Sequence, residues 1–241
     1  MKKVLVVGGG AAGMMAAYFA AKEGAQVTIV EKNKLLGRKI RITGKGRCNV
    51  TNASDLETII KNIYRNGNFM YSSLYSFTND DLMDLFRSFG LDLKTERGNR
   101  VFPVSDRAID VVRTMEKMLD SQGVKIKTGA RVKSLIIDQA RAKGLVLADG
   151  KKLFSDKIIL ATGGKSYPLT GSTGDGYIMA QQCGHKVTSL YPSLIGMETI
   201  GEITKELVGL NLRNISIDLY KNNKKIYDDF GELEFRDYGL D

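Results

Sequence analysis

Val4-Leu5-Val6-Val7-Gly8-Gly9-Gly10-Ala11-Ala12-Gly13 sets an apolar run against a GxGxxG turn that opens into small, helix-forming residues. In a strand, turn and helix unit the first glycine makes the tight turn and the second lets backbone approach a pyrophosphate. The third lets helix and strand pack closely. The helix N-terminus then turns about half a positive charge and free amide hydrogens toward the phosphates. Gln26-Val27-Thr28-Ile29-Val30 reads as a second parallel strand ending in Glu31, eighteen residues beyond Gly13. A carboxylate there can accept hydrogen bonds from both hydroxyls of an adenosine ribose and repels a 2′-phosphate, so the unit favours FAD or NAD over NADP.

Met1-Lys2-Lys3 and the mostly apolar stretch through Ala21 have the outline of a secretory signal or membrane anchor, but three consecutive glycines would break its hydrophobic segment. No other run of about eighteen apolar residues occurs, so no membrane span is expected. With 241 residues, 43% of them hydrophobic, the chain has material for one large domain or one and a half ordinary ones. Its two cysteines, Cys48 and Cys183, are far apart and form no CxxC or CxxxxC spacing. A disulfide framework is therefore not expected, and a cytoplasmic setting fits. With His185 as the single histidine, neither a zinc site nor a serine-histidine triad finds its usual parts, and no metal is expected.

The formal charge of +9 is unevenly spread: between Lys32 and Asn52 stand seven basic residues, Lys32, Lys34, Arg38, Lys39, Arg41, Lys45 and Arg47, and no acidic one. Following the ribose acid, this segment points to the cofactor pyrophosphate, with about half of its side chains forming a solvated basic face. A nucleic-acid partner is disfavoured, because the basic residues lack interleaved aromatics and no RNA or DNA module is present.

Beyond the first βαβ unit, residues 36–52 are too rich in glycine and charge for a continuous helix and read as a cofactor-wrapping loop. Helical spacing recurs over 56–64, 71–77 and 80–89, with Asn79 or Asp80 as N-cap and Gly90 closing the last. Short strands are expected at 91–93 and 100–103, joined by a turn at Gly98-Asn99. Ser105 or Asp106 would cap a helix over 107–121 that Gly123 ends. A returning strand over 124–128 leads to an antiparallel meander, 131–138, 142–147 and 153–154. Lys157-Ile158-Ile159-Leu160-Ala161 lacks alternation, as a buried parallel strand does. A helix over 175–183 ends at Gly184. From Pro192 the texture changes to short alternating strands, 215–220, 225–227 and 233–235, separated by Asn222-Asn223 and Gly231. The reading is thus α/β: a Rossmann-like dinucleotide-binding domain over 1–191, with parallel sheet, helices and β meander, and part of a β-rich domain over 192–241.

Glu31, Gly37-Arg38-Lys39, the segment Thr43-Gly44-Lys45-Gly46-Arg47-Cys48-Asn49-Val50-Thr51-Asn52, Arg100-Val101-Phe102-Pro103, Ala161-Thr162-Gly163-Gly164-Lys165-Ser166-Tyr167-Pro168 and Thr170-Gly171-Ser172-Thr173-Gly174-Asp175-Gly176 together resemble the BaiN-like, or aminoacetone-oxidase-like, family of FAD-dependent oxidoreductases. The resemblance implies a glutathione-reductase-type FAD domain into which a β-rich domain is inserted, acting in some members on small amines or enone-like substrates. Members run to about four hundred residues, a size at which chains divide into domains. The present chain is therefore expected to be a fragment ending inside the inserted domain, in preference to a reduced variant, and to hold flavin weakly.

FAD is also preferred because a nicotinamide domain ordinarily continues from the ribose acid into further βα units, whereas here a long basic glycine loop follows. On this reading Gly8, Gly10, Ala12 and Gly13 hold the pyrophosphate, Glu31 the ribose, and Arg38 and Lys39 the phosphate and ribityl side, with Lys32 also among the cofactor-binding residues. Gly44, Gly46, Arg47, Cys48 and Asn49 approach the isoalloxazine. By family analogy Val132 meets adenine through its backbone, the alternative being a strand-core valine. Ala161, Thr162 and Gly163 pass the flavin phosphates, or form only a strand-end turn. Flavin carries the redox chemistry itself, so no catalytic side chain is demanded. Cys48 reads as a packed, inert thiol more readily than a redox partner of flavin, His185 as a surface or capping residue, and Tyr167 as a candidate substrate contact.

Three functions stay open on sequence alone. One is an FAD-dependent oxidoreductase of a small organic substrate, with NAD(P)H or oxygen as transient redox partner. Another is an NAD-dependent dehydrogenase or epimerase. The third is a basic flavin-binding module contacting RNA or a protein partner.

Overall fold

The computed structural model describes residues 1–241, which divide into two compact units, 1–187 and 188–241. In the first unit β1 (Lys3–Val7) leads into α1 (Ala11–Lys22) and β2 (Gln26–Val30). Turns of 3-10 helix over Ile40–Gly46 precede the short β3 (Thr51–Asn52), α2 (Leu56–Lys61), α3 (Tyr71–Ser76) and α4 (Asn79–Ser88). Next come β4 (Leu93–Glu96), β5 (Arg100–Pro103), α5 (Ala108–Ser121), β6 (Lys125–Lys127), β7 (Val132–Asp138), β8 (Arg141–Leu147), β9 (Lys152–Phe154), β10 (Lys157–Leu160) and α6 (Asp175–Gln182).

The central sheet has four parallel strands in the order β10-β1-β2-β6. The chain thus moves to one side of β1 through β2 and β6 and returns on the other through β10, which places a topological switch point beside β1. Alternation along β1 distributes two cores. Val4 and Val6 pack with Met14, Ala17 and Tyr18 of α1 and with Val112, Met115 and Leu119 of α5. Leu5 and Val7 pack with Val132, Leu145 and Leu147 of the β7-β8-β9 meander and with Met179 of α6. The fold is Rossmann-like: α1 and α5 cover one face of the parallel sheet, and the antiparallel meander with α6 the other.

Local details differ from the sequence expectations for identifiable reasons. The cap of α4 is Thr78, which accepts from the Asp81 amide while the Asp81 carboxyl accepts from the Thr78 amide. Asn79 turns its amide inward to the carbonyls of Asn52 and Ser54. No side chain caps α5; the expected cap Asp106 instead binds Arg47 and Lys94. Helix α2 stops at Lys61, and the strand expected over 91–93 runs from Leu93 to Glu96. Strand β10 is parallel but lies at the sheet edge, with Leu160 36% exposed, so its missing alternation does not mark a strand buried on both sides.

The second unit contains β11 (Met197–Glu198), α7 (Ile203–Glu206), β12 (Asn211–Lys221), β13 (Lys224–Arg236) and β14 (Gly239–Leu240), in an antiparallel sheet ordered β11-β14-β13-β12. Where three short strands were expected, β12 and β13 form one long hairpin. Asn222 and Asn223 both hold positive φ, 49° and 59°, as a tight hairpin turn requires. Gly231 does not interrupt β13 but pairs with Ile215 inside it.

Candidate functional site

A cavity of about 500 Å³ opens where β1, β2 and β10 end, beside the switch point. Gly8, with φ of 107°, carries the chain off β1 and its amide donates to the Val30 carbonyl at 2.9 Å. A Cβ at Gly13 would run into the Gly8 carbonyl oxygen, so this glycine lets α1 fold back against the turn. No side chain caps α1 and no acidic residue stands in its first turn, which leaves its N-terminal amides facing the cavity wall formed by Gly8 through Ala12. Around Gly10 the space is open to at least 4 Å from a Cβ position.

Glu31, 7% exposed, lines the cavity beside this turn. Its Oε2 accepts from the Gly9 amide at 2.6 Å, and its Oε1 accepts from both the backbone and the side-chain amide of Asn33 at 2.8 and 2.7 Å. Three basic side chains of the next segment line the crevice, two of them bonded to the 166–175 segment. Lys32 donates to Thr173 Oγ1 and to Asp175 Oδ2 at 2.7 and 2.9 Å, Arg38 donates to Asn33 Oδ1 at 2.8 Å, and Lys39 donates to the Ser166 carbonyl at 2.8 Å. Burial works to raise the Asp175 carboxyl, but hydrogen bonds from Lys32 and Thr173 and the charges of Lys32 and Arg131 outweigh it and hold the group below the usual carboxylate range.

Of the residues singled out in the sequence, the cavity is lined by Gly8, Gly10, Ala12, Glu31, Lys32, Arg38, Lys39, Val132, Ala161, Thr162 and Gly163. Gly13 lies behind the turn and serves packing. Gly44, Gly46, Arg47, Cys48 and Asn49 do not line it. Arg47 is drawn away by Glu96 and Asp106, and its guanidinium carbon sits 4.2 Å from the Phe102 ring centroid. Cys48 is packed in the core, where burial pushes its thiol up and a hydrogen bond with Thr43 offsets part of that. The Asn49 amide, oriented to satisfy both ends, donates to the carbonyls of Thr51 and Val101. Tyr167 is 67% exposed and outside the cavity, and His185 is exposed just beyond α6.

Lining residues that the sequence reading did not assign to the site include Asn33, Ile40 and Met179, and also Gly37, Thr43, Ser172 and Asp175, which it quotes only within family motifs. Ser172 and Asp175 stood inside a glycine-rich segment already notable for its composition; Asn33 carried no periodic signal. No group of three or more His, Cys, Asp or Glu side chains is placed to hold a metal ion, and no helix is long and apolar enough to cross a membrane.

The HI0933-like protein Rossmann domain matches residues 2–225. The chain belongs to this family. Family membership agrees with the resemblance drawn from the GKGRCNVTN and ATGGKSYP segments. The chain is 34% identical over its whole length to a 3-dehydro-bile acid delta(4,6)-reductase of Clostridium scindens, covering 58% of that protein. It is 30% identical over 86% of its length to a ribosomal RNA dihydrouridine synthase of Haemophilus influenzae, covering 51% of it. The chain therefore spans about half the length of these curated relatives. Among solved structures, a flavocytochrome c3 fumarate reductase in its open conformation aligns over 88% of this chain and 47% of its own with a TM-score of 0.62, at 23% identity, a likeness of fold.

Proposed function

We propose that this chain is the FAD-binding part of a flavoprotein oxidoreductase that reduces a carbon–carbon double bond conjugated to a carbonyl group. The observation that carries the dinucleotide reading is that an uncapped α1 N-terminus and the Glu31 carboxyl, tied together through the Gly9 amide, line one crevice at the switch point. The donor set fits the group. The amides of the Gly8–Ala12 turn and the cations Lys32, Arg38 and Lys39 would hold a diphosphate. Glu31 would take the adenosine ribose, and the entry to β7 at Val132 would lie beside the adenine. FAD, when bound, supplies the hydride and electron chemistry. The protein's own contribution is to fix the diphosphate, orient the ribose and screen the crevice from water with the 163–175 segment.

The choice of reaction is supported by what the names of the two curated relatives have in common. A 3-oxo bile acid with a Δ4 double bond is an enone, and the uracil ring that becomes dihydrouracil presents an alkene next to a carbonyl. Both accept a hydride at the alkene carbon because the carbonyl spreads the developing charge. Reduced nicotinamide is the proposed visiting redox partner, giving the flavin the two electrons that the alkene takes up with a proton, and the substrate is an organic molecule of this electron-poor class.

The test is to purify the complete protein, release its cofactor by heat and identify it by chromatography, then follow consumption of a steroid enone and of uridine-containing RNA with NADH present. FAD in the released fraction and loss of an enone or uracil chromophore are the expected results. A released nicotinamide dinucleotide with no flavin would replace this reading by a dehydrogenase. Flavin release without alkene reduction in either substrate would remove the proposed reaction.

A further inference from the structure

The basic stretch 32–52 contains no aromatic residue, but the one after it does. From Thr58 to Asn79 the chain has no acid, two cations, Lys61 and Arg65, and five aromatic residues, Tyr64, Phe69, Tyr71, Tyr75 and Phe77. This stretch runs from α2 through a 3-10 turn over Gly67–Met70 and α3 to the start of α4. Its loop is built rather than loose: Asn66 holds a left-handed φ of 57°, the Phe69 amide donates to the Asn66 carbonyl at 2.9 Å, and a Cβ at Gly67 would strike the Ile60 carbonyl oxygen. Held this way, Tyr64 and Phe69 are 86% and 83% exposed. The Arg65 guanidinium carbon lies 5.6 Å from the Tyr64 ring centroid, and Lys61 lines a cavity of about 480 Å³ together with Asn68 and Tyr71. No carboxylate of the chain pairs with Lys61 or Arg65. Glu57, the acid in the cavity wall, has both oxygens taken by tyrosine hydroxyls, Oε2 by Tyr71 at 2.7 Å and Oε1 by Tyr75 at 2.8 Å, and these two rings stack 8° from parallel.

A ring left in water forfeits the burial by which aromatic residues stabilise a fold. Exposed rings interleaved with unpaired cations are instead the combination that holds single-stranded nucleic acid, the cations tracking the backbone while successive bases stack on the rings. We infer that residues 61–71 form a docking surface for single-stranded RNA, with bases stacking on Tyr64 and Phe69 and phosphates meeting Lys61 and Arg65. In its choice of occupant the inference rests on the proposed reaction and deepens it. Of the two substrate types considered there, an RNA carrying uracil is a polyanion with flat bases, which this surface complements, whereas a bile acid offers one carboxylate and no succession of bases.

The experiment uses the complete protein and a fluorescent oligouridine of about twelve nucleotides, with affinity read by anisotropy over a salt series. The joint variant Tyr64→Ala with Phe69→Ala is expected to bind about tenfold or more weakly than the parent, and Tyr64→Phe, which keeps the ring, within about twofold of it. Lys61→Met with Arg65→Met should reduce the slope of log affinity against log salt by about 1.4, since each neutralised phosphate of a single strand contributes about 0.7. All four positions are exposed, so Tm and flavin content should match the parent in every variant. Absence of oligouridine binding by the parent, or binding that the aromatic variant leaves unchanged, as when another part of the protein covers these rings, would overturn the inference. Self-association lost in the aromatic variant, with no oligouridine bound by the parent, would give the surface to a second copy and overturn it as well. Because binding is read without turnover, a protein that holds oligouridine through these residues but reduces no alkene would lose the proposed reaction and keep the docking surface.

Discussion

The backbone amide of Gly9 donates to Glu31 Oε2 across 2.6 Å, joining the turn after β1 to the end of β2 inside the crevice. This bond makes the acid proposed to take the ribose part of the turn proposed to hold the phosphates. Glu31→Ala should therefore weaken FAD retention at least tenfold, through loss of the ribose contact and loosening of the turn. Cys48→Ala, altering a packed thiol outside the cavity, should leave retention within about twofold and cost on the order of 1 kcal/mol of stability. Flavin absorbance after dialysis, with denaturant melts, checks both; equal retention in the two variants would remove the ribose assignment.

Gly13→Ala tests the packing that shapes the turn. The added methyl meets the Gly8 carbonyl rather than a flexible side chain, so relief requires moving α1. A loss of about 1–3 kcal/mol is expected from urea unfolding. An unchanged midpoint would mean that α1 stands further from the turn than described.

Arg47, Lys94, Glu96 and Asp106 form one ion cluster. The hydrogen bond from Arg47, reinforced by Lys94, holds the Glu96 carboxyl below the usual carboxylate range, and Lys94 followed by Arg47 does the same for Asp106. Groups whose folded pKa is depressed stabilise above their unfolded value, about 4, and lose that contribution as pH falls through the folded value. Asp106→Asn should thus melt below the parent at pH 7, and the gap in Tm should narrow as pH is taken below about 4. A gap independent of pH would show that the variant acts by packing alone.

Lys32→Met removes the donor to Thr173 and Asp175 and leaves Arg131, at 4.0 Å, as the remaining cation on Asp175. Amide hydrogen exchange over 170–175 should speed up several-fold in the variant while β1 and β2 stay protected. Unchanged exchange would mean that Asn33 and Lys39 hold that segment without Lys32.

Thiol labelling separates the two cysteines. Cys48 is buried with its thiol pushed up, while Cys183 is exposed. In the native protein at pH 8 iodoacetamide should modify Cys183 and spare Cys48 until denaturant is added. Modification of both at similar rates would contradict the packing of the 43–49 loop.

The amino-terminal βαβ unit was legible because its determinants are local. A continuous apolar run in β1, glycines at the turn and an acid at the end of β2 constrain backbone conformation within thirty-one residues, whatever lies elsewhere. The meander and α6 were legible for the same reason. What sequence could not decide was which partner a charged or amide side chain takes. Arg47 sits in a basic loop that reads as cofactor-facing, yet Glu96 and Asp106, 49 and 59 residues away, draw it to the other side. Asn33 has no pattern of its own, and it becomes central because folding brings Thr170, from 137 residues on, against an amide already holding Glu31. Strand β10 has the composition of a sheet interior and stands at an edge, since strand order is set by chain crossovers. Backbone preference acts over a few residues and leaves its mark in sequence; electrostatic pairing and strand order act between segments that only the folded chain brings together.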